Sequence, residues 1–390
     1  MSLSTDPVAL TEALVRCPSV TPEEGGALTF MERELAGAGF ACQRLTMTEP
    51  GTPDVENLYA RLGTGKPHLC FAGHTDVVPV GDERRWSHPP FAAVIEGGFL
   101  YGRGAVDMKG AIACFMAATA RHLARTGRLE QGSLSFLITG DEEGPSINGT
   151  MKVLEWMHET GEVLDACLVG EPTCPDALGD EIKIGRRGSL SGEIVVEGKQ
   201  GHVAYPRLTD NPVPKLARII DRLSAVRLDQ GNAHFEPSNL EVTVVSVPNS
   251  VTNVVPAEAR ARFNIRYNTE WTRPRLEDLV TKLVAEAARE VSAHYTLGFS
   301  GTGDVFLTKP GVLVDTMVAA VEAELGRRPN LTTGGGTSDA RFIQAYCPVI
   351  EFGLVNTTIH AIDERVSVAD LERLTQIYER FIAGYFAMAG

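Results

Sequence analysis

Hydrophobic and polar positions alternate along the first half of the chain in a way that predicts strands separated by helices. Apolar runs predict buried strands at residues 68–72, 133–139 and 164–169. Helical spacing of apolar residues predicts helices at residues 7–17, 25–38, 106–123 and 148–159. Strands that alternate with helices are typical of an α/β fold, so we expect a parallel-rich central sheet flanked by helices on both faces.

The pattern changes after residue 187. Strands are predicted at residues 189–196, 241–247, 258–267 and 295–299, with helices at 211–225 and 276–291. This βαββαβ order is typical of a compact α+β module. After Pro310 the earlier pattern returns, with helices at 311–326 and 368–387 and a buried strand at 349–353. We therefore predict a discontinuous domain of residues 1–186 and 302–390, interrupted by a domain of residues 187–301.

Charge and cysteine content narrow the classes of function. The 390 residues include 36 Lys and Arg against 50 Asp and Glu, which gives a formal net charge of −14. Such a surface does not attract nucleic acid or anionic lipid, so we expect neither a nucleic acid nor a membrane as partner. The first residues do not resemble a signal peptide, and the apolar run at 111–120 is shorter than the ~18 residues of a membrane span. Seven dispersed cysteines without a CxxC pair indicate reduced thiols and a cytoplasmic location.

Acid and imidazole side chains collect at the ends of the predicted apolar runs. They are His74, Asp76, Asp107, Glu142, Glu143, Glu171 and His360. In an open α/β sheet the ligand lies beyond the carboxyl ends of the strands, where such groups can hold divalent metal ions. Each group alone could belong to a turn, a helix cap or a solvated loop, but their joint occurrence in one sheet predicts a metal centre. Two histidines and three carboxylates form a set for two metals that share one carboxylate.

The pair Glu142-Glu143 favours a catalytic centre over a structural one. Adjacent side chains at a strand end point in different directions, so one carboxylate can bind metal while its neighbour stays free. A free carboxylate beside metal-bound water can act first as general base and then as general acid.

Further polar positions suit an anionic substrate. Arginine side chains match carboxylates, and Arg186 lies just before the second domain while Arg266 lies within an apolar strand. Residues 334–339, Gly-Gly-Gly-Thr-Ser-Asp, are predicted to open a helix whose N–H groups could bind an anion. His202 follows a strand of the second domain, and Asn356 lies in a polar loop where it could donate to a carbonyl.

Four motifs, in this order, closely resemble those of the aminoacylase/carboxypeptidase family of two-metal amidohydrolases. They are Gly-His-Thr-Asp-Val-Val-Pro (73–79), Gly-Arg-Gly-Ala-Val-Asp-Met-Lys-Gly (102–110), Thr-Gly-Asp-Glu-Glu-Gly (139–144) and Val-Gly-Glu-Pro-Thr (169–173). Later segments resemble a branch of the family that acts on a small amide bearing two carboxylates. These segments are Gly-Arg-Arg-Gly-Ser (185–189), Gly-His-Val-Ala-Tyr-Pro (201–206), Gly-Gly-Thr-Ser-Asp-Ala-Arg-Phe (335–342) and Glu-Phe-Gly-Leu-Val-Asn-Thr-Thr-Ile-His (351–360).

The resemblance implies a role for each metal-site residue. His74 and Glu171 would hold one zinc ion, Glu143 and His360 the other, and Asp107 would bridge the two, with cobalt able to substitute. Asp76, whose carboxylate could accept the second N–H of His74, would orient that histidine, and Glu142 would be the general base.

The resemblance also implies a homodimer, because the second domain resembles the dimerisation domain of the family. His202 would then reach the active site of the partner subunit and polarise the amide oxygen. The implied substrate-binding residues are Arg186, Ser189, Asn253, Arg266, Gly336, Thr337 and Asn356. Thr252 departs from the family, which leads us to expect Asn at this position.

Two other interpretations stay open at this point. A sister deacylase would use the same metals on another acyl group, whereas a non-catalytic binding protein would use the metals for stability alone. Glu142 argues against the second interpretation, because a structural site has no use for an unligated acid beside its water.

Overall fold

The computed structural model of the protein describes residues 3–129 and 131–389. Its helices are α1 (Pro7–Val15), α2 (Ala27–Gly37), α3 (Lys109–Thr126), α4 (Thr150–Glu159), α5 (Pro212–Ser224), α6 (Arg273–Glu290), α7 (Val312–Leu325), α8 (Ala340–Ile343) and α9 (Val368–Ala389). Short 3₁₀ turns lie at Glu83–Arg85 and Pro206–Leu208.

Strands occur in both halves of the chain. They are β1 (Ala41–Met47), β2 (Val55–Gly63), β3 (His68–His74), β4 (Val94–Glu96), β5 (Phe99–Tyr101), β6 (Ser133–Thr139), β7 (Ala166–Val169), β8 (Glu181–Lys183), β9 (Gly185–Arg186), β10 (Gly188–Glu197), β11 (Gly201–His202), β12 (Asn239–Ser246), β13 (Val254–Val255), β14 (Glu258–Tyr267), β15 (His294–Gly303), β16 (Phe306–Leu307), β17 (Asn330–Thr332), β18 (Val349–Glu351) and β19 (Arg365–Ser367).

The chain divides into two compact units. The first comprises the described residues of Met1–Ile184, Thr308–Thr332 and Ser338–Gly390. The second comprises Gly185–Leu307 together with Thr333–Thr337. The inserted domain was predicted at residues 187–301, and the later five-residue segment 333–337 that belongs with the second unit was not predicted.

The described residues of the first unit form an eight-stranded mixed sheet in the order β1-β2-β6-β3-β7-β18-β8-β17. Its centre is parallel, because β3 pairs in parallel with both β6 and β7, and β7 pairs in parallel with β18. β3 and β6 are buried along their whole length, which explains their continuous apolar sequences. The predicted α/β fold is therefore confirmed.

An aromatic cluster joins the central strands to two helices of the first unit. Phe71 of β3 stacks on Phe115 of α3 with ring centroids 4.3 Å apart. Phe136 of β6 and Tyr378 of α9 pack edge-on against Phe115 at 5.5 Å and 5.4 Å. The Tyr378 hydroxyl donates to the carbonyl of Phe352 at 2.6 Å, so its one polar group is satisfied. The cluster fixes α3 against the strands that carry the predicted metal ligands.

The second unit has the predicted βαββαβ order of long elements, β10-α5-β12-β14-α6-β15. Its four-stranded antiparallel sheet runs β12-β14-β10-β15. Residues of β10 and β14 alternate between buried and half-buried, as expected for a sheet with one covered face. The covered face packs on α5, whose buried Leu216, Ile219 and Leu223 follow helical spacing, and on α6.

Each helix and strand predicted from the sequence is present, with ends that differ by a few residues. The structure also contains strands that were not predicted, among them β1 and β2. β1, at the edge of the sheet, is largely polar and partly exposed and is defined by its pairing with β2. The helix predicted to open after residues 334–339 is a single turn, Ala340–Ile343, so it provides no extended N-terminal anion site.

The sequence predicted neither a membrane span nor disulfide bonds. Across residues 3–129 and 131–389, no helix has both the length and the apolarity needed to cross a bilayer. All seven cysteines are free thiols, and Cys70, Cys114, Cys167, Cys174 and Cys347 are buried.

His68 at the start of β3 is a buried neutral histidine outside the metal site. It is 1% exposed, and its Nδ1 donates to the carbonyl of Val163 while its Nε2 accepts from the Ser135 hydroxyl, both at 2.8 Å. Burial, together with the nearby charge of Arg61, lowers the pKa of His68 to about 4. Protonation of Nε2 would remove the acceptor for the Ser135 hydroxyl and would place a positive charge inside the sheet.

We expect acidification to destabilise the protein through His68. The unfolded-state pKa of histidine is about 6.5, so below this value the unfolded state binds the proton first and stability falls as pH falls. Between about pH 7 and about pH 5 this group should remove roughly 2 kcal/mol from the free energy of unfolding. His68→Asn keeps a donor for Val163 and removes the titration. Urea unfolding of metal-free protein should therefore show a shallower pH dependence for this variant.

A matched control is His158→Asn, because His158 is exposed on α4. This variant should keep the wild-type pH dependence. Parallel stability profiles for His68→Asn and wild type would contradict the assignment.

Candidate metal centre

Three adjacent parallel strands carry most of the predicted metal ligands at their carboxyl ends. β3 lies between β6 and β7, with His74 opposite Thr139 and Ala72 opposite Val169. The segments that follow these strands therefore begin at one edge of the sheet. They carry His74 with Asp76, Glu142 with Glu143, and Glu171.

Asp107 and His360 reach the same edge from loops. Asp107 lies two residues before α3, which begins at Lys109, and the start of a helix stabilises negative charge. His360 lies between β18 and β19 with a φ of 57°, a left-handed conformation that is uncommon outside glycine. Such a conformation persists only where surrounding contacts determine it.

Two clusters of metal-ligand type share the Asp107 carboxylate. In the first, His74 Nε2 lies 3.2 Å from Asp107 Oδ1 and 3.9 Å from Glu171 Oε1. In the second, His360 Nε2 lies 3.2 Å from Asp107 Oδ2 and 2.7 Å from Glu143 Oε1. In each cluster one potential ligand atom from every residue lies within 4.8 Å of the others. Asp107 presents a different oxygen to each cluster, which is the geometry of a carboxylate between two metal ions.

The donor set fits divalent cations. Among the described residues, the ion-pair partners of Glu142, Glu143 and Glu171 are histidines, so no lysine or arginine offsets these carboxylates. Burial of like charges without a counter-charge is costly, and metal ions would remove that cost. Histidine nitrogen and carboxylate oxygen are the ligands that zinc uses in open, catalytic sites.

Contacts between the two histidines and the carboxylates shift their pKa values. Burial opposes the charged imidazole of His74, but its hydrogen bond to Asp107 and the charges of Asp107, Glu142 and Glu171 raise its pKa well above the ordinary value. Hydrogen bonds to Asp107 and to a second carboxylate raise the pKa of His360 to about 10. Burial would raise the pKa of Asp107, yet the two imidazoles hold it well below its usual range. In metal-free protein the imidazoles and the carboxylates therefore favour each other's charged forms.

Asp76 contacts His74 differently from the prediction. His74 Nδ1 donates to the main-chain carbonyl of Asp76 at 2.9 Å, whereas the Asp76 carboxylate oxygen lies 3.6 Å away. That carboxylate instead accepts the N–H groups of Glu142 at 3.3 Å and Glu143 at 3.0 Å. Burial raises the pKa of Asp76 to about 6. Asp76 therefore both orients the imidazole through its backbone and fixes the turn that carries the two glutamates.

The Glu142 carboxylate accepts no hydrogen bond from the described residues, and its nearest charged partner is His74 Nε2 at 4.0 Å. Burial, opposed by His74 and reinforced by neighbouring carboxylates such as Asp339, raises the pKa of Glu142 to about 8. Glu142 also lies within ligand range of His74 and Glu143, so geometry alone permits it to act as a ligand or as a free acid.

His202 and Asn253 lie together on an exposed surface of the second unit. His202 belongs to β11, which pairs with β13, and the carbonyl of Asn253 accepts the N–H of Val203 at 3.0 Å. The Nδ1 of His202 accepts the N–H of Ala204 at 3.0 Å, which leaves Nε2 on the outer side of the ring. The adjacent Tyr205 is 61% exposed. His202, predicted to reach the partner subunit, and Asn253, predicted to bind substrate, therefore share one surface.

The other predicted substrate contacts of the second unit form two groups. Ser189 and Arg266 are opposite each other on β10 and β14, so their side chains share the half-buried face of the sheet. Arg186 lies on β9, and its Nη1 donates to the carbonyls of Gly334 and Gly336 at 3.1 Å. The loop that contains Gly336 and Thr337 is thus oriented with carbonyls towards Arg186.

Asn356 lies in the first unit on the loop that leads to His360. Its side-chain amide donates to the carbonyl of Pro172 at 3.3 Å, directly after Glu171. Its backbone N–H donates to the carbonyl of Cys174 at 2.9 Å. The structure therefore gives Asn356 a contact with the Glu171 loop, and its predicted contact with substrate stays a prediction.

Asp141, the acid that precedes the glutamate pair, was not predicted to have a role at the site. Its Oδ2 accepts the N–H groups of Ile147 and Asn148 at 2.8 Å, which closes the turn after β6. The motif Thr-Gly-Asp-Glu-Glu-Gly contains three acids in a row, but nothing in the spacing shows which of them faces the backbone.

A family model described as peptidase family M20/M25/M40 matches residues 70–384. The chain belongs to this family. The matched segment includes all seven acid and imidazole positions of the metal centre. The resemblance drawn from the four motifs is therefore confirmed at the level of the family.

Solved structures of similar fold cover nearly the whole chain. An M20 family metallo-carboxypeptidase from Sulfolobus solfataricus is 18% identical, with a TM-score of 0.76 and coverage of 97% of this chain and 99% of that chain. Aminopeptidase PepT from Bacillus cereus is 18% identical, with a TM-score of 0.78 and coverage of 97% and 98%. The YxeP protein of Bacillus subtilis, described as a dinuclear metal binding peptidase from the M20 family, is 17% identical, with a TM-score of 0.71 and coverage of 98% and 97%. At these identities the similarity establishes the fold.

Proposed function

We propose that this protein is a two-metal amidohydrolase. The observation that carries the proposal is the position of Asp107, whose two oxygens lie 3.2 Å from His74 and 3.2 Å from His360. His74 and Glu171 are the proposed ligands of one ion, Glu143 and His360 those of the other, and Asp107 bridges them. Zinc suits these ligands, and cobalt should substitute for it.

Glu142 is the proposed general base and acid. Two divalent ions, when bound, supply Lewis acidity that lowers the pKa of water and polarises the amide carbonyl. One carboxylate oxygen of Glu142 takes a proton from the attacking water while the oxygen of that water forms a bond to the carbonyl carbon. The same oxygen then gives that proton to the leaving nitrogen as the C–N bond breaks. The absence of a hydrogen bond to this carboxylate among the described residues supports the assignment.

We expect Glu142→Gln to abolish turnover without loss of metal. The amide keeps the size of the side chain but cannot accept the proton, so kcat should fall by about 10²- to 10⁴-fold. Metal content by elemental analysis, measured beside amidase activity, checks the result. Chelation of wild-type protein should also remove activity, and zinc or cobalt should restore it.

Glu143→Gln is the matched comparison, because it changes the adjacent residue in the same way. This variant should lose one of the two metal ions, since Glu143 contacts His360 directly. Substantial turnover in metal-replete Glu142→Gln would refute the role of base. Loss of metal from Glu142→Gln would instead identify Glu142 as a ligand, a role that its position within ligand range of His74 and Glu143 allows.

We also propose the substrate N-succinyl-L,L-2,6-diaminopimelate, with succinate and L,L-diaminopimelate as products. This is the activity of a succinyl-diaminopimelate desuccinylase in bacterial lysine and meso-diaminopimelate biosynthesis. Support comes from the four later motifs and from Arg186, Ser189 and Arg266, which are suited to carboxylates despite a net charge of −14. The related alternative is acetylornithine deacetylase, which would share the metals but remove an acyl group without a distal charge.

We expect kcat/KM for the succinylated substrate to exceed that for N-acetylornithine by at least roughly 100-fold. An acetyl group has no distal carboxylate to accept hydrogen bonds from these side chains; a hydrogen bond to a charged group contributes about 1.5–3 kcal/mol, and each 1.36 kcal/mol is about tenfold in rate. Arg266→Ala should weaken the succinylated substrate while both metals remain bound. Steady-state kinetics on both substrates test this expectation.

Arg262→Ala is the control on the same strand. Arg262 is exposed and pairs with Glu193 on the sheet surface, so its loss should leave kcat/KM unchanged. Equal or better efficiency with N-acetylornithine would contradict the desuccinylase assignment and leave the two-metal amidohydrolase intact.

We propose that the protein is a homodimer through its second unit and that His202 acts in the site of the partner subunit. The supporting feature is β12, an edge strand with Val244 46% exposed and Val245 58% exposed. An apolar edge strand offers unpaired backbone groups to a second chain. The exposed pair His202 and Asn253 lies in the same unit.

Complementation tests this arrangement. His202→Ala and Glu142→Gln homodimers should each be inactive, whereas their heterodimer should regain activity at the one site with an intact base and an intact partner histidine. Val245→Lys should shift the protein towards monomer in sedimentation and reduce activity, while Val163→Lys, at a valine 57% exposed in the first unit, should do neither. A fully active monomer, or no activity in verified heterodimers, would rule the arrangement out.

A further inference from the structure

A buried carboxylate that no motif pointed to holds the loop of Asp107. Glu364 is 0% exposed. Its Oε1 accepts the N–H groups of Val106 at 2.9 Å and Asp107 at 3.2 Å. Its Oε2 accepts the N–H of Gly104 at 3.0 Å and Nη1 of Arg103 at 2.8 Å. Both oxygens are therefore committed to one short loop, which ends at the proposed bridging ligand.

Arg103 connects this loop to the loop of His360. Arg103 is 2% exposed, and its guanidinium carbon Cζ lies 5.3 Å from the centroid of the Trp86 ring. While Nη1 donates to Glu364, Nη2 donates to the main-chain carbonyl of His360 at 3.3 Å. A guanidinium can serve two acceptors at once because its donors form a rigid fork.

The two histidines of the metal centre are held by different means. His74 is the last residue of β3, is 1% exposed and is fixed by the Asp76 carbonyl. The His360 side chain is 47% exposed, its φ is positive, and it belongs to no helix or strand. Sheet pairing positions the first histidine, whereas the second depends on contacts such as the one from Arg103.

We propose that Glu364 and Arg103 are positioning residues that set the separation of Asp107 and His360. They thereby determine the metal affinity of the cluster formed by Asp107, Glu143 and His360. The inference rests on the two-metal centre of the proposed function. Neither residue is a ligand in it, since the Glu364 oxygens face backbone N–H groups and Arg103 carries no ligand atom.

The contacts separate the effects of the two residues. Glu364 fixes Asp107, which both clusters share, so its loss should weaken both metal ions. The Nη2 contact of Arg103 reaches only the His360 loop, so its loss should weaken one ion. The loop is also tied through Asp363, which accepts the N–H of Ser87 at 2.7 Å, and it should therefore stay folded without Arg103.

Arg103→Lys is the decisive variant. Lysine keeps a positive charge for Glu364 but lacks the second arm of the fork. Metal-free wild type and variant are titrated with cobalt ions, followed by visible absorption against a competing chelator. Wild type should bind two ions, and the variant should bind one of them about 10- to 100-fold more weakly, the usual effect of losing an outer contact to a ligand. The other affinity should not change.

The Glu143→Gln background identifies the affected ion. This substitution already removes a ligand from the His360 cluster, so adding Arg103→Lys should cause no further loss. Glu364→Gln should weaken both ions. Arg61→Lys is the control, because Arg61 bonds with Glu162 and Ser133 and, within residues 3–129 and 131–389, makes no hydrogen bond or ion pair to a loop that carries a ligand. It should leave both affinities unchanged, even if the thermal midpoint of the metal-free protein falls.

The outcomes distinguish failure of this inference from failure of the proposed function. If Arg103→Lys binds both ions as wild type does, or weakens both equally, the inference is overturned while the two-metal centre stands. If wild type itself binds fewer than two cobalt ions, the proposed function fails first. Should Glu364→Gln not fold, the comparison of Arg103→Lys with Arg61→Lys still decides the matter.

Discussion

The crowding of carboxylates at one edge of the central sheet is the constraint on which the rest of the first unit depends. Parallel strands β3, β6 and β7 end side by side, so the acids that follow them are forced together. Like charges in a partly buried site repel strongly, because the protein interior screens them far less than water does. Histidines, backbone N–H groups and the start of α3 offset part of this repulsion. Divalent ions complete the compensation, which makes metal binding a consequence of the topology.

The support of the ligands differs on the two sides of the shared aspartate. On one side the ligands extend directly from strands, and the aromatic cluster below fixes their spacing. On the other side an exposed loop carries the histidine, and side-chain contacts to the main chain substitute for sheet hydrogen bonds. The His360 side chain is 47% exposed against 1% for His74, so the second cluster is the more accessible of the two.

The clustering of these side chains could be predicted from the sequence because its signals are local. His74 and Glu171 lie at or after the end of apolar runs of strand length, and the Glu142-Glu143 pair follows another. Assignment of the base and the ligand within that pair came from family resemblance, since spacing treats two adjacent acids alike. The α/β fold was equally accessible, because fully buried parallel strands have continuous apolar sequences.

Other features could not be predicted because their contacts are distant in sequence. Glu364 reaches Arg103 across 261 positions, and its partners are largely backbone groups, which carry no residue identity. Asp76 was expected to use its carboxylate on His74 and uses its carbonyl instead. The edge strand β1 has no apolar run and exists through its pairing with β2. Each of these contacts depends on the three-dimensional arrangement of the chain, which the sequence pattern alone does not reveal.

The second unit consists of two separate stretches of the chain, so it cannot be exchanged as one continuous segment. Because residues 333–337 belong with it, the chain passes between the units at four places, where a simple insertion would need two. Arg186 binds carbonyls of Gly334 and Gly336, which are encoded nearly 150 positions later. A fragment that spans Gly185–Leu307 would leave those two arginine contacts unmade. Recombination that exchanges this unit as a single cassette would therefore separate a guanidinium from the short loop with which it folds.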